Sequence, residues 1–226
     1  MDLMDHSPKV FLLSPAIATG RRALQLAAPR AGFAAAGRLR SPEGLPIGEA
    51  FCFMSALYFR GKLAYARRFA SSRAEPPVLP ELPGCGGQES RVDLQLVPAA
   101  GSILIIAPGF GLVTPEWPLT ADRLRRLACT PVDPARRGYS APLRRHAREL
   151  AARLPAAARI VLLGSIATGK YLDLLLPILG ERLLFPRAFA GTGDMRRGAM
   201  MLRAAASGEE LEYAAAFRTA RVSAPS

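Results

Sequence analysis

Lysine is scarce. Only Lys9, Lys62 and Lys170 occur among the 30 basic residues, and arginine supplies the rest. Histidine is scarcer still, with His6 and His146 alone. The three cysteines, Cys52, Cys85 and Cys129, are odd in number and far apart. That spacing argues against a disulfide framework and against a zinc knuckle, so a reducing cytoplasmic setting with neither metal nor cofactor is expected. No apolar run approaches the roughly 18 residues of a membrane span. The start, Met1-Asp2-Leu3-Met4-Asp5, lacks the basic and apolar regions of a secretory signal. Neither Gly-x-Gly-x-x-Gly nor Gly-x-Ser-x-Gly appears, which weakens dinucleotide oxidoreductase and serine-elbow hydrolase readings.

A hydrophobic fraction of 50% and a charged fraction of 21% are ordinary for a globular chain. The net charge of +12 favours anionic partners: a nucleotide, a nucleobase derivative or nucleic acid. The alanine, proline and arginine bias offers a different source of that charge, a GC-rich genome. It also makes the surviving lysines informative. A lysine is a compact ammonium that shifts its pKa readily, which arginine cannot imitate.

Short apolar runs at 10–13, 92–97, 102–107, 159–163 and 182–185 read as strands. Gly101 lies between the second and third, which suits a hairpin. Helices are expected at about 20–28, 47–71, 121–128 capped by Thr120, 140–154, 168–180 and 194–206. Residues 74–90, with their prolines and glycines, read as a surface loop. The ends, 1–8 and 219–226, read as mobile. The recurrence of strand, loop and helix predicts one α/β domain, a three-layer parallel or mixed sheet with helices on both faces. Ligands in such folds lie at the carboxyl ends of the strands. That directs attention to the loops at 14–21, opened by Ser14, and at 108–118, 164–171 and 186–198.

Four segments carry the candidate chemistry. Gly164-Ser165-Ile166-Ala167-Thr168-Gly169-Lys170-Tyr171 follows a strand and opens a helix, with Walker-type Gly-x4-Gly-Lys spacing. Tyr171 stands where a Mg²⁺-binding hydroxyl is required, and no later strand offers an acid, so a P-loop NTPase is excluded. A looser anion loop of Gly164, Ser165, Thr168, Gly169 and Lys170 remains, beside the plainer reading of a glycine-rich turn. Tyr58, Lys62 and Tyr65 share one helix face and combine aromatic rings with a cation, or else are half-buried tyrosines beside a solvated lysine. Gly61 inside that helix marks a close approach. The turn 108–118 holds Gly109, Gly111, Glu116 as a candidate acid/base and Trp117 as a stacking surface or a core lid. Gly191-Thr192-Gly193-Asp194-Met195-Arg196-Arg197-Gly198 brings Asp194, a second candidate acid/base or an N-cap, and two arginines for anions. His146 sits among arginines and is expected on a solvated helix face.

The segments Phe11-Leu-Leu-Ser-Pro-Ala16, 57–65, Gly111-Leu-Val-Thr-Pro115, 163–171 and Gly193-Asp-Met-Arg-Arg-Gly198 together resemble a bacterial family of undefined function. More distantly, the order of features is similar to the peroxide-stress YaaA-like and archaeosine-synthase-associated domains of unknown function. That resemblance implies nucleic-acid or modified-base biology on a glycosylase-like α/β fold.

The sequence therefore leads to a nucleotide-, nucleobase- or nucleic-acid-handling domain with an anion loop at 164–170, aided by Lys62 and Arg197. Tyr58 and Trp117 are its stacking surfaces, and Asp194 or Glu116 its acid/base if it is an enzyme. Two alternatives stay open. One is a non-catalytic basic scaffold for nucleic acid or an acidic partner, and the other an enzyme acting on a phosphorylated metabolite.

Overall fold

The computed structural model describes residues 8–70, 102–166 and 168–216. The expected strand at 92–97, the loop at 74–90 and most of both termini lie outside these residues. Within them the chain forms an α/β fold around a six-stranded sheet, with strands β1 (Lys9–Leu13), β3 (Ile103–Ala107), β4 (Gly111–Val113), β6 (Arg159–Leu163), β7 (Leu183–Pro186) and β8 (Tyr213–Ala215). Their spatial order is β4-β3-β1-β6-β7-β8. The four central strands are parallel, while β4 and β8 close the two edges antiparallel. A separate pair joins β2 (Leu45–Pro46) to β5 (Pro118–Leu119).

The central strands are apolar throughout because both faces are covered. Side chains alternate between the faces. Phe11, Leu13, Ile105, Ala107, Val161 and Leu163 pack under α1 (Arg21–Ala27), α2 (Ala34–Arg40), α3 (Ile47–Ala70), α4 (Ala121–Cys129) and α7 (Asp194–Ser207). Val10, Leu12, Leu104, Ile106, Ile160 and Leu162 pack against α5 (Arg137–Arg153) and α6 (Leu172–Leu179) on the other side. The result is three layers. None of the described helices is long and apolar enough to cross a membrane.

The sheet is mixed through its antiparallel edge strands β4 and β8, and the hairpin expected about Gly101 needs residues 92–97, which lie outside the described residues. Residues 103–107 pair parallel with β1 and form their hairpin forward, with β4. Gly109, at φ 83°, makes that turn, and Phe110 N–H donates to the Ala107 carbonyl at 2.9 Å. His146 corrects an expectation. It is buried, and its Nδ1 accepts the Leu112 N–H at 2.9 Å. The neighbouring arginines mask its spacing with Leu143, Ala147 and Leu150, which places it on the core face of α5.

Thr120 caps α4 as expected, its side chain accepting from Arg123 N–H at 3.4 Å. Thr120→Ala should lower stability by about 1 kcal/mol in a urea titration. An unchanged midpoint would show that this long bond contributes nothing.

Candidate functional site

The parallel strands run β3-β1-β6-β7 across the sheet, so the chain leaves β1 towards one edge and later crosses to the other. The strand order therefore reverses between β1 and β6, and the crevice outside their carboxyl ends is the switch point where α/β folds hold ligands. Ser14 follows β1 directly, and its N–H donates to the Leu163 carbonyl of β6 at 3.2 Å. Gly164 follows β6. A Cβ there would lie 2.9 Å from Ser14 Cβ, so the absence of a side chain lets the two strand ends close on each other.

Lys62 reaches this point from α3. It is 1% exposed, and its Nζ lies 3.0 Å from the Ser14 carbonyl oxygen and 2.6 Å from Ser14 Oγ. The same Nζ sits 3.9 Å from the centroid of the Tyr58 ring, one helical turn earlier. The alternative of a solvated lysine is thus corrected: α3 buries this side chain against the sheet. Burial lowers its pKa to about 7, aided by the Arg197 charge and partly opposed by that of Asp194.

Arg197, on α7, is also buried. Its guanidinium donates to the Phe189 carbonyl at 2.8 Å and to Asp194 Oδ1 at 3.3 Å, while its Nε has no partner. The Tyr58 hydroxyl is likewise buried without a hydrogen bond of normal geometry, although Ser14 and Arg197 are near enough to influence its ionisation. Tyr171 completes the group. Burial pushes its pKa up to about 12, and contact with Ser14 pulls against that shift.

Two features of the helices set this cluster. Ala56 interrupts α3 with φ 43° and ψ −118°, a conformation an L-residue adopts only under strain, and splits it into two helical segments just before Tyr58. Gly61 then faces Gly198 of α7. A Cβ on Gly61 would lie 2.6 Å from the Gly198 carbonyl oxygen, so the backbones meet at a glycine–glycine crossing. The close approach expected at Gly61 is that of α7, and it delivers Lys62 and Arg197 to the same crevice.

Of the residues expected from the sequence, Ser14, Tyr58, Lys62, Gly164, Asp194 and Arg197 come together here. Asp194 is largely exposed at the start of α7, and Arg196 and Met195 beside it are exposed as well. Lys170 is exposed on the loop after β6, where its carbonyl accepts from Tyr139 OH at 3.1 Å. Thr168 is exposed, and Ser165 is partly buried. Gly169, at φ 46°, lies against the Asp173 carboxylate, which a Cβ would meet at 2.6 Å. The acid in the first turn of α6 thus lies back against the loop.

The turn after β3 belongs to a different cluster. Trp117 packs on Phe110 with ring centroids 4.9 Å apart and lies under Arg123, while Glu116 is exposed. Gly109 packs against Thr130, and Gly111 against His146. The residue that sequence reasoning missed is Tyr171, noticed only as a departure from Walker spacing. Its position at the end of the loop that follows β6 was the available signal.

Among the described residues no group of three or more His, Cys, Asp or Glu is placed to hold a metal ion. Comparison with protein-family models, curated proteins and solved structures finds no match for this chain.

Proposed function

We propose that the crevice at the carboxyl ends of β1 and β6 binds a small anionic molecule, a nucleotide or nucleobase derivative. The observation that carries this reading is the pair of buried polar atoms without partners, Tyr58 Oη and Arg197 Nε, in the same cluster as Ser14 and Lys62. Buried donors are almost always satisfied, and an orphaned pair at a strand-order reversal is what a ligand oxygen completes. Lys170, exposed on the neighbouring loop, supplies positive charge at the rim, and exposed Ile17 and Met195 supply apolar surface for a base or similar ring.

A thermal-shift panel of nucleotides, free bases, sugar phosphates and short oligonucleotides tests this. A ligand at about 100 times its dissociation constant adds about 2.7 kcal/mol, a rise of roughly 5–10 °C in Tm for a chain this size. The shift should appear with a nucleotide or base and shrink in Lys170→Ala. A response to sugar phosphates alone would move the substrate class to phosphorylated metabolites. A response confined to oligonucleotides and lost steeply with salt would replace the crevice by a basic scaffold surface.

A further inference from the structure

We propose that Ser14 is a nucleophile and Lys62 its general base, so that this crevice performs acyl transfer on a substrate bearing an ester, thioester or activated amide carbonyl. The proposal rests on the preceding reading of the crevice as a ligand site and names the reacting part of that ligand.

Buried lysines are rare, and those retained for architecture pair with carboxylates. Among the described residues no carboxylate lies within salt-bridge distance of Nζ. Its two hydrogen-bonding contacts are both to one residue, the Ser14 carbonyl at 3.0 Å and the Ser14 hydroxyl at 2.6 Å. The Tyr58 ring covers a third side. Asp194 acts only through the field of its charge, and Arg197 opposes it. A lysine held this way loses its proton near neutrality, and its lone pair then accepts the Ser14 O–H. A serine hydroxyl is a weak nucleophile until such a base adjoins it, and serine–lysine pairs are an established variant of the nucleophile–base arrangement.

The second observation is independent of Lys62. Tyr58 Oη and Arg197 Nε are buried without a hydrogen bond of normal geometry, and Tyr58 lies near enough to both Ser14 and Arg197 for each to bear on its ionisation. Two fixed donors suit a single oxygen on which negative charge develops. Strain at Ala56, two residues before Tyr58, places the kink of α3 at the same spot.

Ser14 Oγ bonds to the carbonyl carbon as its proton passes to Lys62 Nζ, and the carbonyl π electrons move to the oxygen held by Tyr58 and Arg197. When that oxyanion reforms the carbonyl, the bond to the leaving alcohol, thiol or amine breaks, and the leaving atom takes the proton from Lys62. Water then attacks the Ser14 ester with Lys62 again as base, releasing a carboxylic acid and restoring both side chains.

A fluorophosphonate probe reads this chemistry without the natural substrate. Its phosphorus bonds to Oγ, fluoride leaves, and Lys62 takes the proton. Intact-mass and peptide mass spectrometry should show one adduct per chain, located on Ser14, with a rate that rises as pH passes through about 7. Ser14→Ala should abolish the adduct. Lys62→Met and Lys62→Arg should each slow labelling at least about 100-fold, the scale of general-base assistance, with circular dichroism confirming that each is folded. Gly37→Ala, remote from the crevice, should label like the wild type. Absence of an adduct on the folded wild type, or equal rates in the wild type and a folded Lys62 variant, would overturn the proposal. The two readings separate cleanly. A ligand-dependent thermal shift without labelling leaves the binding crevice and removes the nucleophile. Labelling without any thermal-shift response leaves the nucleophile and removes the nucleotide class.

Discussion

Between pH 7 and 9.5 the wild-type chain should gain stability relative to Lys62→Met as pH rises. Lys62 carries an ordinary lysine pKa near 10.5 when unfolded and one lowered to about 7 when folded. Across that interval the unfolded chain holds the proton and the folded chain does not. The unfolded state therefore binds more protons, and stability must increase with pH. Below about 7 both states are protonated at this site, and the full cost of burying the ammonium opposes folding. Each pKa unit of difference is worth about 1.4 kcal/mol, so the fall from 10.5 to about 7 amounts to about 5 kcal/mol, of which roughly 3 kcal/mol is recovered between pH 7 and 9.5.

Methionine keeps most of the side-chain volume and removes the charge, so it should erase this component while leaving every other titration in place. Urea unfolding of both proteins at half-unit steps from pH 6.5 to 9.5 supplies the difference directly. The wild type should be less stable than the variant by most at the acid end, with the gap closing steadily as pH rises. Parallel curves would show that Lys62 stays charged in the folded chain, and would also remove the base required by the Ser14 proposal. The window stops short of tyrosine ionisation, which matters because burial raises the pKa of Tyr58, Tyr65 and Tyr171.

The parts of this molecule legible in the sequence were those written in short-range pattern. The apolar run at 159–163 is β6 to the residue, and Thr120 caps the helix it was expected to cap. The rarity of lysine in an arginine-rich chain picked out Lys62, and the strand-end rule picked out Ser14. Nothing local, however, indicates that they touch. They are 48 residues apart, and their contact depends on α3 lying across the end of β1. His146 was misplaced for the related reason that its arginine neighbours conceal a core-facing period. The short strands β2, β4, β5 and β8 and the helix α2 went unseen because segments of two to seven residues take their structure from the surfaces they pack on rather than from propensity. The kink at Ala56 was invisible too, since alanine is the best of helix formers and only tertiary packing forces it to a positive φ.

Gly61→Ala and Gly37→Ala should change stability in opposite directions, although both replace a glycine inside a helix. Helix propensity alone favours alanine over glycine by about 1 kcal/mol at either place. At Gly37, in α2, a Cβ meets nothing within 4 Å, so the gain is realised and the variant should be stabilised by up to that amount. At Gly61 the same Cβ would sit 2.6 Å from the Gly198 carbonyl oxygen and 3.1 Å from its Cα. These are backbone atoms that cannot turn aside as a side chain does. The helices must separate, and overpacking of this kind costs typically about 1–3 kcal/mol, more than propensity returns. Gly61→Val enlarges the clash and adds a β-branched residue to a helix interior, so its loss should exceed about 3 kcal/mol. The displacement also has a chemical readout, because the Gly61–Gly198 contact carries Lys62 on one helix and Arg197 on the other. A folded Gly61→Ala protein should therefore lose fluorophosphonate labelling at Ser14 out of proportion to its modest loss of stability. Retention of full labelling together with a stabilised fold would mean that α3 and α7 do not meet at these glycines.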